Sequence, residues 1–310
     1  MTRPAFIAPV PLPEAGLLGE HVFPLEKYGL VRAALEAAGD VSPGAWRIAP
    51  PATDDELSLV HTAEYLDDIA SLRWTERTLH SELPLDALVV SLFRGFTGGT
   101  IAACRAAVAE GVGVNVGGGL HHAFADHAEG FCYFNDIAVG IRVLQREGAI
   151  ERAAVIDCDV HQGNGTARIF AGDDSVFTFS IHQERLYPEK QRSDLDVGLD
   201  DPIGDELYLR ALDASLGVVF ALGAPDFVVY QAGADPYAGD RLGNLGLSFA
   251  DLAERDRRVL SACAERGIPC AVTLGGGYAA DTDDTVAIHV ATCRAAIAIA
   301  PALAARRAAQ

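Results

Sequence analysis

Asp157, Asp159 and His161 alternate in the run Asp157-Cys158-Asp159-Val160-His161. In extended backbone, residues two apart point the same way, so a carboxylate and an imidazole there can grip one ion. Zinc takes both donor types, and a catalytic zinc uses three protein ligands with a fourth position open. Asp235, closing Gln231-Ala232-Gly233-Ala234-Asp235, is the third candidate ligand, and the glycine beside it permits close backbone approach. A lone Asp-x-His is more often a turn or a helix cap. Here three polar side chains share one face, and two carboxylates would crowd together without a cation. That favours a metal, although such ligands accept iron or manganese as well as zinc.

Two further groups suit hydrolysis. His121 and His122 follow Gly117-Gly118-Gly119. A neutral imidazole beside an activated water can take its proton and return it to a leaving amine, as amide hydrolysis requires. An isolated His-His is usually a surface coincidence, but Asp157 is placed to hold one ring in a fixed tautomer. Tyr278 follows Gly275-Gly276-Gly277. It is either a core aromatic or a phenol that hydrogen-bonds a substrate carbonyl; the residues alone leave both open. Rival chemistries are weaker. Gly111-Val112-Gly113-Val114-Asn115-Val116 lacks the third glycine of a dinucleotide fingerprint, and no phosphate-binding G-x-x-x-x-G-K-[ST] occurs. Gly246-Leu247-Ser248-Phe249-Ala250 lacks the second glycine of a nucleophile elbow.

The elements that must position these groups read as alternating strands and helices. Val112–Val116, Ala153–Cys158, Val176–Ile181, Phe227–Tyr230 and Cys270–Leu274 are apolar and of strand length. Leu25–Ala38, Gly98–Glu110, Asn135–Glu147, Asp205–Leu222 and Leu252–Arg266 are amphipathic, the last preceded by a capping arrangement at Ser248. The alternation predicts an α/β fold, a central parallel sheet covered by helices on both faces. Ligands bind at the carboxyl ends of such strands, and the reactive groups follow four strand ends.

The chain has 310 residues, half of them hydrophobic, with no linker, charge block or repeat, so residues 1–310 read as one domain. Its net charge of −19, from 43 acidic and 24 basic residues, argues against nucleic-acid or anionic-membrane binding. Six cysteines without a C-x-x-C pair suit buried thiols in a reducing compartment. The N-terminal stretch, broken by prolines, reads as neither a signal peptide nor an anchor, and the Ala-rich C-terminal stretch as a surface helix. A cytoplasmic location is expected.

Longer motifs carry a family resemblance. Gly118-Gly119-Leu120-His121-His122-Ala123, Gly130-Phe131-Cys132-Tyr133-Phe134-Asn135-Asp136 and Asp157 to Thr166 resemble the zinc-dependent histone deacetylase signature. Ala232–Asp235, Gly239-Asp240-Arg241-Leu242-Gly243 and Gly275–Tyr278 continue it in order, and Phe23–Tyr28 and His61–Leu66 are similar upstream. The resemblance implies an arginase-like α/β fold and one catalytic zinc on Asp159, His161 and Asp235. It implies that His122 is the general base and acid, His121 its electrostatic partner, and Tyr278 the group that polarises the acyl carbonyl. Phe131 would wall an acyl-lysine tunnel, Tyr187 would face it, and Gly130 and Gly276 would contact substrate. A potassium ion is expected near Asp157, Asp159, His161, Ser180 and Ile181.

Two departures stand out. The class I branch partners its second histidine with aspartate, whereas Asn164 occupies that position here, as in class II and class IV relatives; compact length and Gly239–Gly243 favour class IV-like bacterial members. No rim aspartate that grips substrate is matched between His80 and Thr97. The expected substrate is an acyl-lysine peptide or protein. An acetylpolyamine or other acylated small amine is the runner-up, and a catalytically silent acyl-lysine binder the rival outside enzymes. Oligomeric state is not read from the sequence.

Overall fold

Short apolar runs, each too brief for a helix and rich in valine, alanine and isoleucine, become the strands of one sheet. The computed structural model describes residues 3–8, 16–200 and 202–309; residues 1–2 and 9–15 of the proline-broken N-terminal stretch lie outside them. The strands are β1 (Ala5–Ala8), β2 (Trp46–Ile48), β3 (Val112–Asn115), β4 (Ala153–Asp157), β5 (Val176–Gln183), β6 (Leu195–Leu199), β7 (Phe227–Gln231) and β8 (Cys270–Thr273). Their spatial order is β2-β1-β3-β8-β7-β4-β5-β6, with every neighbouring pair parallel. The sheet is thus the parallel, helix-flanked α/β arrangement expected from the alternation of elements.

Register aligns the ends of the central strands. Asn115 pairs with Thr273, Thr273 with Gln231, Gln231 with Asp157, and Asp157 with Ser180. All five are buried, so a polar row crosses the carboxyl edge of an otherwise apolar sheet. Thr273 Oγ1 donates to Gln231 Oε1 at 2.6 Å, and Asn115 Nδ2 to Thr100 Oγ1 at 2.9 Å. These bonds satisfy groups that burial would otherwise penalise.

Helices lie where amphipathic patterns placed them, with shifted ends. Lys27–Ala37, Asp136–Arg146, Asp205–Val218 and Phe249–Arg266 are helical, and Ser248 caps the last in a full capping box with Asp251. The helix expected from Gly98 begins eleven residues earlier and spans Ala87–Glu110, capped by Asp86. Its Gly98 is an internal packing position: a Cβ there would stand 2.0 Å from the Pro50 carbonyl oxygen. The glycine pair marks close approach, not a helix start.

Three strands escape the sequence reading. β1 sits inside the proline-broken N-terminal stretch, β2 is a three-residue edge, and β6 alternates half-buried and exposed residues at the other edge. Short, partly polar edge strands are how sheets limit edge pairing, and they carry weak sequence signals. The C-terminal helix, Thr282–Ala308, is not a mere surface helix, for Val286, Ile288, Val290, Cys293 and Ala296 are buried. This helix and Ala87–Glu110 are each long and apolar enough to cross a membrane, yet 50% and 72% of their apolar windows are buried within the protein.

Candidate active site

The four central strands, β3, β8, β7 and β4, are contiguous in the sheet and supply every reactive group named above. Asp159 and His161 leave the end of β4, and Asp235 follows β7. His161 Nδ1 lies 3.2 Å from Asp159 Oδ1 and 3.2 Å from Asp235 Oδ2. One donor atom from each residue falls within 4.8 Å of the others, and all three residues are buried. Asp159 does serve its turn, with Oδ1 accepting the His161 N–H at 3.0 Å, but its other oxygen faces the cluster, where the Gly276 N–H donates to it at 2.9 Å.

The charges in this cluster are mutually frustrated. Burial, then the Asp159 charge, pushes Asp235 up to about 7. Burial works against Asp159 also, but His121 and His161 outweigh it and hold that carboxyl well below the usual range. Burial would lower His161, yet both aspartates outweigh it and raise the ring to about 10. Three donors thus compete for protons in a buried site, and a divalent cation suits this donor set. Gly276 belongs to the cradle: a Cβ on it would fall 1.9 Å from Asp235 Oδ2. Its place is against the carboxylates at the slot's foot.

The histidines approach from the loop after β3, their ring centroids 4.1 Å apart. His121 Nδ1 meets Asp157 Oδ2 at 2.7 Å, while His122 Nδ1 meets Asn164 Oδ1 at 2.8 Å. Burial opposes charge on both. For His121, Asp157 and Asp159 outweigh burial and raise it to about 9. For His122, burial and the positive His121 and His161 rings together drive it well below its ordinary value. The surroundings thus favour charge on His121 and oppose it on His122.

Tyr278 arrives from the loop after β8. Its N–H donates to Asp240 at 2.7 Å, and Arg241 Nε donates to its carbonyl at 3.0 Å. Burial, then Asp235 and Asp159, keeps the phenol protonated far above neutrality. The Tyr278 ring lies 6.5 Å from that of His161 and 5.9 Å from that of Phe131. Phe131, Gly130 and Tyr187 line a slot of about 290 Å³ whose foot is His122, His161 and Tyr278. The structure therefore brings together all the site residues singled out from the sequence.

A family model described as the histone deacetylase domain matches residues 21–293. The chain belongs to the histone deacetylase family. It is 33% identical over 269 residues to histone deacetylase 2 of Arabidopsis thaliana, covering 83% of this chain and 70% of that protein. It is 30% identical over 267 residues to the histone deacetylase-like amidohydrolase of Pseudomonas aeruginosa, covering 80% and 70%. An uncharacterized protein of Picosynechococcus is 39% identical over 298 residues, covering 95% and 96%. Among solved structures, an HDAC homolog complexed with SAHA has a TM-score of 0.80 at 25% identity, covering 95% of this chain and 84% of that one. The protein is a histone deacetylase-family hydrolase with the arginase/deacetylase fold.

Several residues of this histone deacetylase site have no clear sequence signal. Glu82 lines the slot from within the stretch where no rim aspartate could be matched. Glu82 and Phe131 both hold left-handed backbone, at φ 60° and 62°, an unfavourable conformation for side chains of their size. The Phe131 N–H donates to the Ser81 carbonyl at 3.0 Å, pinning the two walls together. Leu186 and Leu242 complete the lining. Lys27, wholly buried, donates to the carbonyls of Gly275 at 2.8 Å and Gly277 at 3.3 Å, and burial lowers it to about 8 against the pull of Asp235 and Asp159. Its place in the Phe23–Tyr28 motif was the available clue. Ser180, proposed for a potassium site, is level with Asp157 in the sheet, and its Oγ lies 2.9 Å from His182 Nδ1.

Arg255 braces the loops that carry the candidate metal ligands. It is fully buried on the Phe249–Arg266 helix, and Nη1 donates to the carbonyls of Cys158 at 3.1 Å and Gly233 at 2.6 Å. Its charge is paired with Asp256, which also accepts from Tyr230 and Thr292 at 2.5 Å each. Removing one partner of a buried pair strands the other charge. Arg255→Met is expected to destabilise the domain by about 3–5 kcal/mol, read from the urea midpoint at unchanged slope. An unmoved midpoint would contradict the brace.

Proposed function

We propose that this histone deacetylase-family protein is a zinc-dependent lysine deacylase that hydrolyses the amide of an acylated lysine or a similar amine. The observation that carries this reading is the slot itself: a largely apolar channel that reaches His122, Tyr278 and His161, with His161 belonging to a buried cluster with the carboxylates of Asp159 and Asp235. Such a shape takes a long amine-bearing chain end-on and delivers its amide to the polar foot.

Asp159, His161 and Asp235 would hold the zinc, which when bound supplies Lewis acidity to the acyl carbonyl and to a water. His122, kept neutral, takes a proton from the attacking water and returns it to the departing amine. His121, held cationic by Asp157, lends positive charge beside the developing oxyanion. Tyr278 donates a hydrogen bond to that oxyanion. Phe131 and Tyr187 exclude water from the alkyl chain, and Glu82 offers a carboxylate at the mouth to substrate N–H groups. A potassium ion near Asp157, Asp159, His161, Ser180 and Ile181 belongs to the same proposal.

At the foot, a smaller space runs on from the slot past His122, His161 and Tyr278 to Asp159, Phe23 and Tyr28. The test is a panel of lysine peptides bearing acetyl to decanoyl groups, with acetylspermidine alongside, assayed with zinc and with a chelator. The chelator is expected to abolish turnover until zinc is restored, and the relative rates rank the acyl groups the slot accepts. Zinc-loaded protein that hydrolyses none of these substrates would overturn the assignment.

A further inference from the structure

His122 faces an amide, not a carboxylate, and an amide can turn either end toward a ring nitrogen. What decides the direction lies one bond further out. Asn164 Nδ2 donates to Glu129 Oε1 at 2.7 Å. A carboxylate only accepts, so the amide must turn its nitrogen to Glu129 and its oxygen to His122. An oxygen 2.8 Å from Nδ1 in turn requires the ring proton on Nδ1. Nε2, on the far side of the ring, is left with its lone pair free to take a proton.

The surroundings of Glu129 keep it an acceptor. The Tyr187 hydroxyl donates to the same Oε1 at 3.1 Å, and His127 Nε2 lies 3.6 Å from Oε2, its other nitrogen 2.7 Å from Asp126. Burial opposes the charge on Glu129, but bonds from His127, Asn164 and Tyr187 outweigh it, so the carboxyl stays ionised at neutral pH. The bond to Tyr187 also ties the residue that fixes the amide to one wall of the slot.

We propose that Glu129 is a positioning residue: as an acceptor-only anchor it sets the orientation of the Asn164 amide and, through it, the tautomer of His122. This rests on the reading of His122 as the proton carrier. Glutamine at 129 removes the polarity at little change in shape. Its amide can donate to Asn164 Oδ1, letting Asn164 present nitrogen to His122 and forcing the ring proton onto Nε2. That tautomer cannot act as the base.

The test uses zinc-loaded protein labelled with ¹⁵N-histidine, the His122 signals being identified by their loss in His122→Asn. The wild type is expected to show one tautomer, protonated on Nδ1, and Glu129→Gln a mixture. Glu129→Ala, which leaves only water facing Asn164, is the second variant and is expected to give a mixture too. On an acetyl-lysine peptide, Glu129→Gln is expected to lower kcat about 10- to 100-fold, and to add no further loss of kcat to Asn164→Ala. A wild-type ring protonated on Nε2, or the same single tautomer in wild type and both variants, would overturn the proposal. A wild type that hydrolyses no acyl amide yet shows the tautomer change would sink the deacylase reading and leave the role of Glu129 standing.

Discussion

Replacing His122 with asparagine is expected to lower kcat on an acetyl-lysine peptide by about 100- to 10,000-fold, the range for a positioned general acid–base group, with little change in KM. The neighbouring ring cannot substitute. His121 Nδ1 is bound to Asp157 at 2.7 Å, which favours its protonated form and makes it the poorer proton acceptor of the two. His122 alone combines a neutral ring with a place at the foot of the slot. Asparagine preserves a polar side chain there but takes up no proton. Zinc content and thermal midpoint, measured alongside, separate lost chemistry from a lost site. A kcat within threefold of wild type, at full zinc occupancy, would transfer the role to another group.

Tyr278→Phe is the second large effect. Only a hydroxyl is lost, because the backbone stays clamped by Asp240 and Arg241 and the ring keeps its edge contacts with Phe131 and His161. Removal of one oxyanion donor typically costs about 100- to 1,000-fold in turnover. The loss is expected in kcat with KM nearly unmoved, since the hydrogen bond strengthens only as charge develops on the carbonyl oxygen. Its phenol stays protonated well beyond neutral pH, so the deficit is expected to be constant across pH 6–9. An unaltered kcat would remove Tyr278 from the mechanism.

Much of this site was legible in the chain because its parts follow strand ends, where a short apolar run gives way abruptly to glycine and charge. Asp159 and His161 could be placed on one face by the two-residue period alone, and Asp235 and Tyr278 by their distance from the next buried runs. Glu82, Glu129 and Arg255 could not. Their roles depend on which loop lies across which: Glu129 on the meeting of the Gly130 and Asn164 loops, Arg255 on a helix passing behind Cys158 and Gly233. No local period records such crossings. The edges of the sheet were lost for a related reason, since β2 and β6 are brief and half-solvated, and their pairing is tertiary rather than propensity-driven.

The order of strands has an implication for how the protein comes into being. β3 and β4 are sequential in the chain but are held apart by β8 and β7, the last two strands to be synthesised. A growing polypeptide therefore holds its paired imidazoles and two of the three candidate metal ligands before the strands that lie between them exist. With β7 and β8 lying between β3 and β4, a chain that stops short of them lacks the middle of the sheet and with it Asp235 and Tyr278.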